Sequence, residues 1–239
     1  MAGIIRYLKN EILNLMPNTF VDKTLRKTNF LGFASISFSQ EGEDLILSKL
    51  FEEIEKGFFI DIGAHHPIRF SNTYKLYLKG WRGINIDAMP HSMDLFKKYR
   101  KEDINIEIPI AKISKIMPFY TFNEPALNTF SEELAKERGE AKKVYNLEAK
   151  PLSTILDKYM PKDIQKIDFM SIDVEGLDFE VLESNDWGKY KPTVILIESL
   201  TTARNIADSL NSEVAQYLSA KNYSLCSKSD KTLFFMLNE

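Results

Sequence analysis

The sequence holds one cysteine, Cys226, in 239 residues. That excludes an internal disulfide and any zinc site built from thiolates, and it fits a reducing compartment. An excess of one charge is also missing. With 31 basic and 34 acidic residues the net charge is −3, which argues against a dedicated nucleic-acid binder, whose domain would carry a basic face. No stretch approaches the roughly 20 apolar residues that cross a bilayer. The first residues, MAGIIRYLKNEILNLMPN, lack the continuous apolar run and small-residue cleavage site of a secretory signal, so the expected location is the cytoplasm. Histidine is scarce, with His65, His66 and His91 only, and the 10 glycines nowhere form G-x-G-x-x-G. What is plentiful is ordinary globular material, 44% hydrophobic residues. A chain of this length buries about 70–75% of its unfolded surface, enough for a core without staples.

The first thirty residues stand apart. Ile4, Leu8, Ile12 and Leu15 recur at helical spacing, Pro17 ends the pattern, and Arg6, Lys9, Lys23, Arg26 and Lys27 outnumber Glu11 and Asp22. The spacing predicts an amphipathic helical extension over 1–30, ahead of a domain over 31–239. Docking on its own domain or on a neighbouring subunit of a homo-oligomer is the favoured reading, and attachment to an anionic membrane surface the disfavoured one.

From Phe38 onward strand and helix signals alternate. A helix over 40–54 leads to the strand GFFIDIG (57–63), a helix over 71–80, the strand GINIDA (83–88), a helix over 92–103 and the strand INIEIPI (104–110). That alternation predicts a parallel sheet with crossover helices. The stretch 111–165 breaks the rhythm: a hairpin is expected around MPFYTFN (117–123), a charged helix over 131–143, a strand over 144–152 and a helix over 153–160. It is too long for a plain crossover and reads as an insertion that shapes a substrate pocket. Its Phe119, Tyr120, Phe122 and Phe130, with Asn123 and Asn128, suit either stacking on a sugar ring and bonding its hydroxyls, or a small satellite core. The alternation resumes with KIDFMSIDVEG (166–176), a helix over 178–187 and TVILIES (193–199). A last helix over 203–220 then precedes YSLCS (223–227) and TLFFML (232–237), which are expected to pair antiparallel.

In an open parallel sheet the ligand sits outside the carboxyl ends of the strands, near the point where strand order reverses. The residues there are DIGAHHP (61–67), Asp87 with Ala88, Pro109 to Lys112, Asp173 with Glu175, and Glu198 with Ser199. A dinucleotide needs further glycines after Gly63, where Ala64, His65 and Pro67 stand. A cofactor without phosphates that carries positive charge and an amino acid tail suits this acid-led turn better. Asp61 can serve its ammonium, the Gly63 backbone can pack against it, and Asp87 can take both hydroxyls of a ribose. Those acids at that spacing fit S-adenosylmethionine.

FFIDIGAHHP, WRGINIDAMP, and above all DFMSIDVEGLDFEVL followed by KPTVILIES, resemble the FkbM family of S-adenosylmethionine-dependent O-methyltransferases. SFSQEGEDLIL (37–47) resembles the segment that precedes the core in many members, so the likeness covers about Ser37 to Ser199. Many members have an Asn after the Gly-Ala pair and a Gly two residues later, where this chain has His65 and Pro67. The resemblance implies the class I methyltransferase fold, an α/β, Rossmann-like three-layer sandwich around a mainly parallel seven-stranded sheet whose last strand is antiparallel. It implies as substrate a small molecule, a sugar or sugar-nucleotide, methylated on a hydroxyl, in the setting of surface-polysaccharide assembly. The cofactor turn then comprises Asp61, Gly63, Ala64 and His65, joined by Asp87, Ala88 and Asp173. Gln40 and Glu43 fold over the pocket by the same resemblance, although helix capping also explains the acid. Asn72 and Thr73 are either caps or contacts to the methionine carboxylate.

Methyl transfer to a hydroxyl holds oxygen, methyl and sulfur in line and removes the hydroxyl proton. His66 and Glu175 are the first candidates for the base, followed by Asp173. Asp173 alternatively orients the methionine amino group or holds a divalent ion that lowers the hydroxyl's pKa, which leaves metal dependence open. Two other readings use the same sheet. One is a dinucleotide-dependent oxidoreductase or epimerase, whose glycine-rich turn is missing. The other is a non-catalytic module that keeps the sheet for subunit contacts, against which the intact acids Asp61, Asp87, Asp173 and Glu175 speak.

Overall fold

The computed structural model describes residues 35–198 and 205–238; the extension expected over 1–30 and Ser199 lie outside the described residues. Phe38–Glu239 forms one compact unit. The apolar runs become the strands β1 (Phe58–Ile62), β2 (Arg82–Asp87) and β3 (Ile104–Glu107), followed after the insertion by β6 (Phe169–Ile172) and β7 (Val194–Glu198). All pair in parallel, and the chain closes with β8 (Tyr223–Lys228) and β9 (Thr232–Leu237), β9 running antiparallel to both β7 and β8. The seven strands lie in the order β3-β2-β1-β6-β7-β9-β8, the arrangement expected of the class I methyltransferase sheet, with the reversal between β1 and β6.

Period-two alternation sorts the strand residues between two helical layers. Ile60 and Ile62 of β1 join Ile84, Ile86, Ile172 and Ile197 on one face, under α5 (Leu152–Tyr159), α6 (Asp178–Glu183) and α8 (Glu213–Ser219). Phe59, Phe169, Leu196 and Phe234 turn to the other, beneath α1 (Glu43–Leu50) and α2 (Tyr74–Leu78). Strands so placed are buried on both sides, which is why β1, β6 and most of β7 are apolar at successive positions, interrupted only by Asp61 and Ser171, rather than alternating. The second face is aromatic: Phe51, Trp81, Phe59 and Phe169 stack with ring centroids 5.2–6.0 Å apart, each such ring removing about 150–250 Å² from water.

One charged group lies inside this apolar layer. Arg100 follows α3 (Met93–Tyr99) and is 0% exposed. Its Nε donates to Asp103 Oδ2 at 2.9 Å, its Nη1 to the Pro67 carbonyl at 3.2 Å and its Nη2 to Thr73 Oγ1 at 3.1 Å. Thr73 in turn donates to Asp61 Oδ2 at 3.0 Å. Burial pushes Asp61 up to about 6, against the opposing pull of Arg100 and Thr73. A buried guanidinium is tolerated here because each of its nitrogens finds an acceptor, and the same bonds tie the turn after β1 to the sheet.

The insertion differs from expectation. No local hairpin forms at 117–123; β4 (Lys115–Thr121) pairs along its whole length with β5 (Lys143–Ala149). Between them a 3₁₀ turn, Pro125–Leu127, capped by Glu124, brings Thr129 back against Tyr120 in a single bridge of two backbone hydrogen bonds at 2.9 and 3.0 Å, and the chain then leaves into a helix instead of continuing as a second strand. The charged helix is α4 (Glu132–Arg138), shorter than 131–143 because Gly139, at φ 98°, turns the chain out of the helix and lets Lys143 start β5. The last helix is likewise broken, into α7 (Ile206–Leu210) and α8, since Asn205 and Ser212 each cap a new start by accepting the amides of Asp208 and Ala215. No helix among the described residues is long and apolar enough to cross a membrane.

Removing the guanidinium while leaving the buried acids is expected to be costly. Arg100→Met should lower the free energy of unfolding by about 3 kcal/mol or more, the usual cost of breaking one partner out of a buried ion pair, as measured by urea denaturation.

Candidate functional site

The carboxyl ends of β2, β1, β6 and β7 open into one cavity of about 360 Å³. Its floor is set by the reversal in strand order. Gly63, at φ 82°, lies so close to the end of β6 that a Cβ there would stand 1.6 Å from the Asp173 carbonyl oxygen. Its amide and that of Ala64 both donate to the Ile86 carbonyl, at 2.9 and 3.0 Å, so the turn is pinned between β2 and β6. Only glycine fits such a position. The strain continues around the rim: His65, Phe70, His91 and Glu175 line the cavity with positive φ, four of the five described non-glycine residues in that region. Such backbone costs of order 1–3 kcal/mol per residue and clusters at functional sites.

Asp87, closing β2, faces the cavity with both oxygens engaged by backbone: Oδ2 accepts from His65 N and Oδ1 from Met89 N, each at 2.8 Å. Burial raises its pKa and these two amides oppose the rise. A carboxylate offers about four acceptor sites, so the bonds orient it and leave capacity for a diol. Ala88 and His65 line the same end. On the opposite wall Gln40 and Glu43 reach the cavity, Glu43 held by Thr232 Oγ1 at 3.0 Å and by Glu41 N at 2.8 Å. Asn72 also lines it, its amide donating to Ser171 Oγ at 3.1 Å.

Three expected residues stand off the wall. Asp61 points away from the cavity into the Arg100 network, because it alternates with Ile62 and shares the face of Phe59 on the aromatic layer, and Thr73 goes with it. Ala64 is buried in a small cluster with Met93 and Phe96. These shape the turn from behind.

The expected bases are partly occupied. His66 lines the cavity, but its Nδ1 accepts from Ile68 N at 3.1 Å and Arg69 N at 2.9 Å. The neutral ring then carries its proton on Nε2, and burial, His65 and Arg69 all lower its pKa. Glu175 is ion-paired at 2.5 Å with Arg138 of α4. Asp173 is hydrogen-bonded to Glu198, which closes β7 on the same wall. Glu198 and Asp178 are the residues that pattern reading left without a role. Asp178 accepts from Val174 N and Gly176 N at 2.9 and 3.1 Å and so folds the turn that carries Asp173 and Glu175, burial pushing it up to about 6. The signal for Glu198 was its place as the acid closing a buried strand, the same place that marked Asp87. One oxygen each of Asp173, Glu175 and Glu198 lies within 4.8 Å of the others, and the Arg138 guanidinium holds Glu175 from outside this group.

Two clamps join the insertion to the cavity rim. Arg69 forms a bidentate pair with Glu124, at 3.1 and 3.0 Å, and Arg138 pairs with Glu175 while Thr129 Oγ1 donates to the Glu175 carbonyl at 2.6 Å. Phe119 and Phe130, centroids 4.5 Å apart, form the wall between them.

The sequence profile described as the methyltransferase FkbM domain matches residues 61–225. No curated protein sequence matches. Among solved structures, the chain is similar to a putative O-methyltransferase from Klebsiella pneumoniae, at 9% identity and TM-score 0.45, over 98% of this chain and 97% of that one. It is also similar to an O-methyltransferase from Bacillus cereus in complex with SAH, at 11% identity and TM-score 0.44, over 99% and 97%.

Closing the gap at the reversal should disable the site. Gly63→Ala is expected to weaken binding of S-adenosylhomocysteine at least about tenfold in titration calorimetry, since even ~1.4 kcal/mol of displacement is worth that factor.

Proposed function

The chain belongs to the FkbM methyltransferase family, S-adenosylmethionine-dependent methyltransferases, and from that premise we propose that it methylates a hydroxyl of a sugar or sugar-nucleotide, a step suited to surface-polysaccharide assembly. The observation that carries the reading is the chemistry of the cavity wall. Glu41, Glu43, Asp87, Asp173, Glu175 and Glu198 line it, against Arg69 and Lys231; with Glu175 paired to Arg138 and the Asp173 carboxyl raised by burial, the wall still holds more carboxylates than cations. An acid-rich enclosure favours a ligand bearing sulfonium and ammonium charges and disfavours a pyrophosphate at the cofactor's place, so a sugar-nucleotide would present its sugar to the cavity and leave its phosphates outside. When bound, S-adenosylmethionine supplies an electrophilic methyl group.

The residues present fit that cofactor. Asp87, its carboxylate fixed by two amides, takes the ribose hydroxyls. Ile108, Pro109 and Ile110 with Met89 give an apolar slot for a flat base. Asn72, Gln40 and Glu43, together with Asp173, surround the amino acid end, and the Gly63 backbone lies against it. His65 and Ala88 complete the turn, while Asp61, Ala64 and Thr73 hold it from behind. His66 fixes the loop through its Nδ1 rather than serving as base, and Glu175 anchors the insertion. The insertion, 111–165, supplies the acceptor side: Phe119 and Phe130 offer an apolar platform and Asn128 a side-chain amide beside it. An apolar face with a few polar groups is the surface a sugar ring selects.

Incubation with radiolabelled S-adenosylmethionine and a panel of nucleotide-activated sugars should give label in the sugar as an alkali-stable ether. Label appearing only in amines or carboxylates would sink the hydroxyl reading. Asp87→Ala should reduce cofactor affinity about 10- to 100-fold by calorimetry, the value of hydrogen bonds to a charged group, with unchanged affinity removing Asp87 from the site.

A further inference from the structure

We propose that Glu198 is the base that receives the acceptor's proton, held in place by a protonated Asp173 that donates a hydrogen bond to it. The assignment rests on the hydroxyl-acceptor reading above and adds the group that reading lacks.

Position comes first. Along the sheet the relevant strands run β2-β1-β6-β7. Asp87 closes β2 and Glu198 closes β7, so the two acids stand at opposite sides of the cavity, with Asp173 between them after β6. A cofactor clamped at Asp87 with its amino acid end toward Gln40 and Glu43 runs along this wall, and Glu198, which pairs with Thr232 beside Glu43, stands at its reacting end rather than at its ribose end. Availability comes second. His66 has no open acceptor, since Nδ1 receives two amides and Nε2 carries the proton. Glu175 is held by Arg138. His65 keeps a buried Nε2 without a partner, but its own amide bonds Asp87, which places it at the ribose side. Glu198 Oε2 is buried, lines the cavity wall and has no partner among the described residues.

The pair's protonation then follows from its surroundings. Burial raises Asp173 well above the ordinary carboxylate range, reinforced by Glu198, Asp178 and Glu175. Asp173 therefore keeps its proton and donates it to one oxygen of Glu198, leaving Oε2 as the free lone-pair donor. Glu198 is itself pushed up to about 7, chiefly by burial and then by Glu175 and Asp178, while Lys231 and the Asp173 hydrogen bond pull it down. A base near neutrality is the one best matched to proton transfer at working pH. In the step, a lone pair of the acceptor oxygen forms the bond to the methyl carbon as the carbon–sulfur pair returns to sulfur. The hydroxyl proton passes to Glu198 Oε2. The products are the methyl ether, S-adenosylhomocysteine and a protonated Glu198 that returns its proton to solvent.

The test combines activity, binding and spectroscopy. Glu198→Gln should bind S-adenosylmethionine as the wild type does by calorimetry yet lose about 100-fold or more in kcat, the lower end of what general base catalysis supplies. Wild-type kcat/KM should fall as pH drops below about 7, the pH to which Glu198 is raised; Glu198→Gln should abolish that limb and Glu198→Asp restore part of the rate. Independently of turnover, the infrared spectrum of the ligand-free protein at pH 7 should contain a protonated carboxyl signal that Asp173→Asn removes. Turnover and pH limb unchanged in Glu198→Gln, or no carboxyl signal lost in Asp173→Asn, overturns the assignment and leaves the hydroxyl reading standing. A wild type that methylates no hydroxyl removes both.

Discussion

The close approach of β1 and β6 at Gly63 governs everything above it. A sheet that reverses its strand order must bring two turns side by side, one leaving toward β2 and one toward β7, and the space between their backbones is set at this point. With a Cβ excluded by the Asp173 carbonyl, the two turns meet in backbone contact. The turn that carries His65 is thereby fixed against Asp87, and the turn that carries Asp173 is fixed against Glu198. The proposed cofactor clamp and the proposed proton acceptor are two ends of one rigid unit.

Behind that unit lies the Arg100 network, which solves a different problem. The turn after β1 has few apolar residues to anchor it, so it is fastened by hydrogen bonds to its Pro67 carbonyl and to Thr73, from a guanidinium hidden beneath the Tyr77 ring at 4.4 Å. Desolvating Arg100 is offset by its ion pair with Asp103 and by the charge of Asp61 beyond Thr73, and replacing Asp103 by an apolar residue would leave the cation without its ion-pair partner. On the far side the insertion is fastened by ion pairs at its surface. Those of Arg69 with Glu124 are half-exposed, at 45% and 44%, and contribute little to stability on their own. The contrast divides the molecule into a scaffold held by buried charge and a rim held by one screened pair, Arg69 with Glu124, and one more sheltered, Arg138 with Glu175.

Much of this was legible in the sequence. Buried parallel strands announce themselves as apolar runs closed by an acid or a glycine, and β1, β2, β6 and β7 all did so, which is why the sheet and the family resemblance could be read. The terminal pair β8 and β9 was legible from its short polar turn. What could not be read depended on contacts distant in the chain. The partner of β4 lies across a capped turn and a helix, and nothing in MPFYTFN specifies it. Asp61 looked like a ligand because strand-end acids usually are, but the pleat turns it toward Arg100, a residue whose burial no local pattern reveals. His66 looked like a base by residue type alone, until the loop's own amides claimed its free nitrogen. Glu198 had the right position but no distinguishing neighbour in sequence; its proposed role comes from Asp173, at the end of the adjacent strand β6.

The buried acids have a consequence for the molecule as a whole. Asp61 and Asp178 are pushed up to about 6, Glu198 to about 7, and Asp173 lies well above the ordinary carboxylate range, all chiefly through burial. Folding therefore takes up protons near neutrality, and unfolding gives them back. Because these groups are raised in the folded state, their contribution is full below the ordinary carboxylate pKa and is lost as the pH climbs through 6 and 7. Through these four groups, folding is favoured more below the ordinary carboxylate range than at neutral pH. The same desolvation that poises one carboxylate for chemistry makes the whole chain register the acidity of its surroundings.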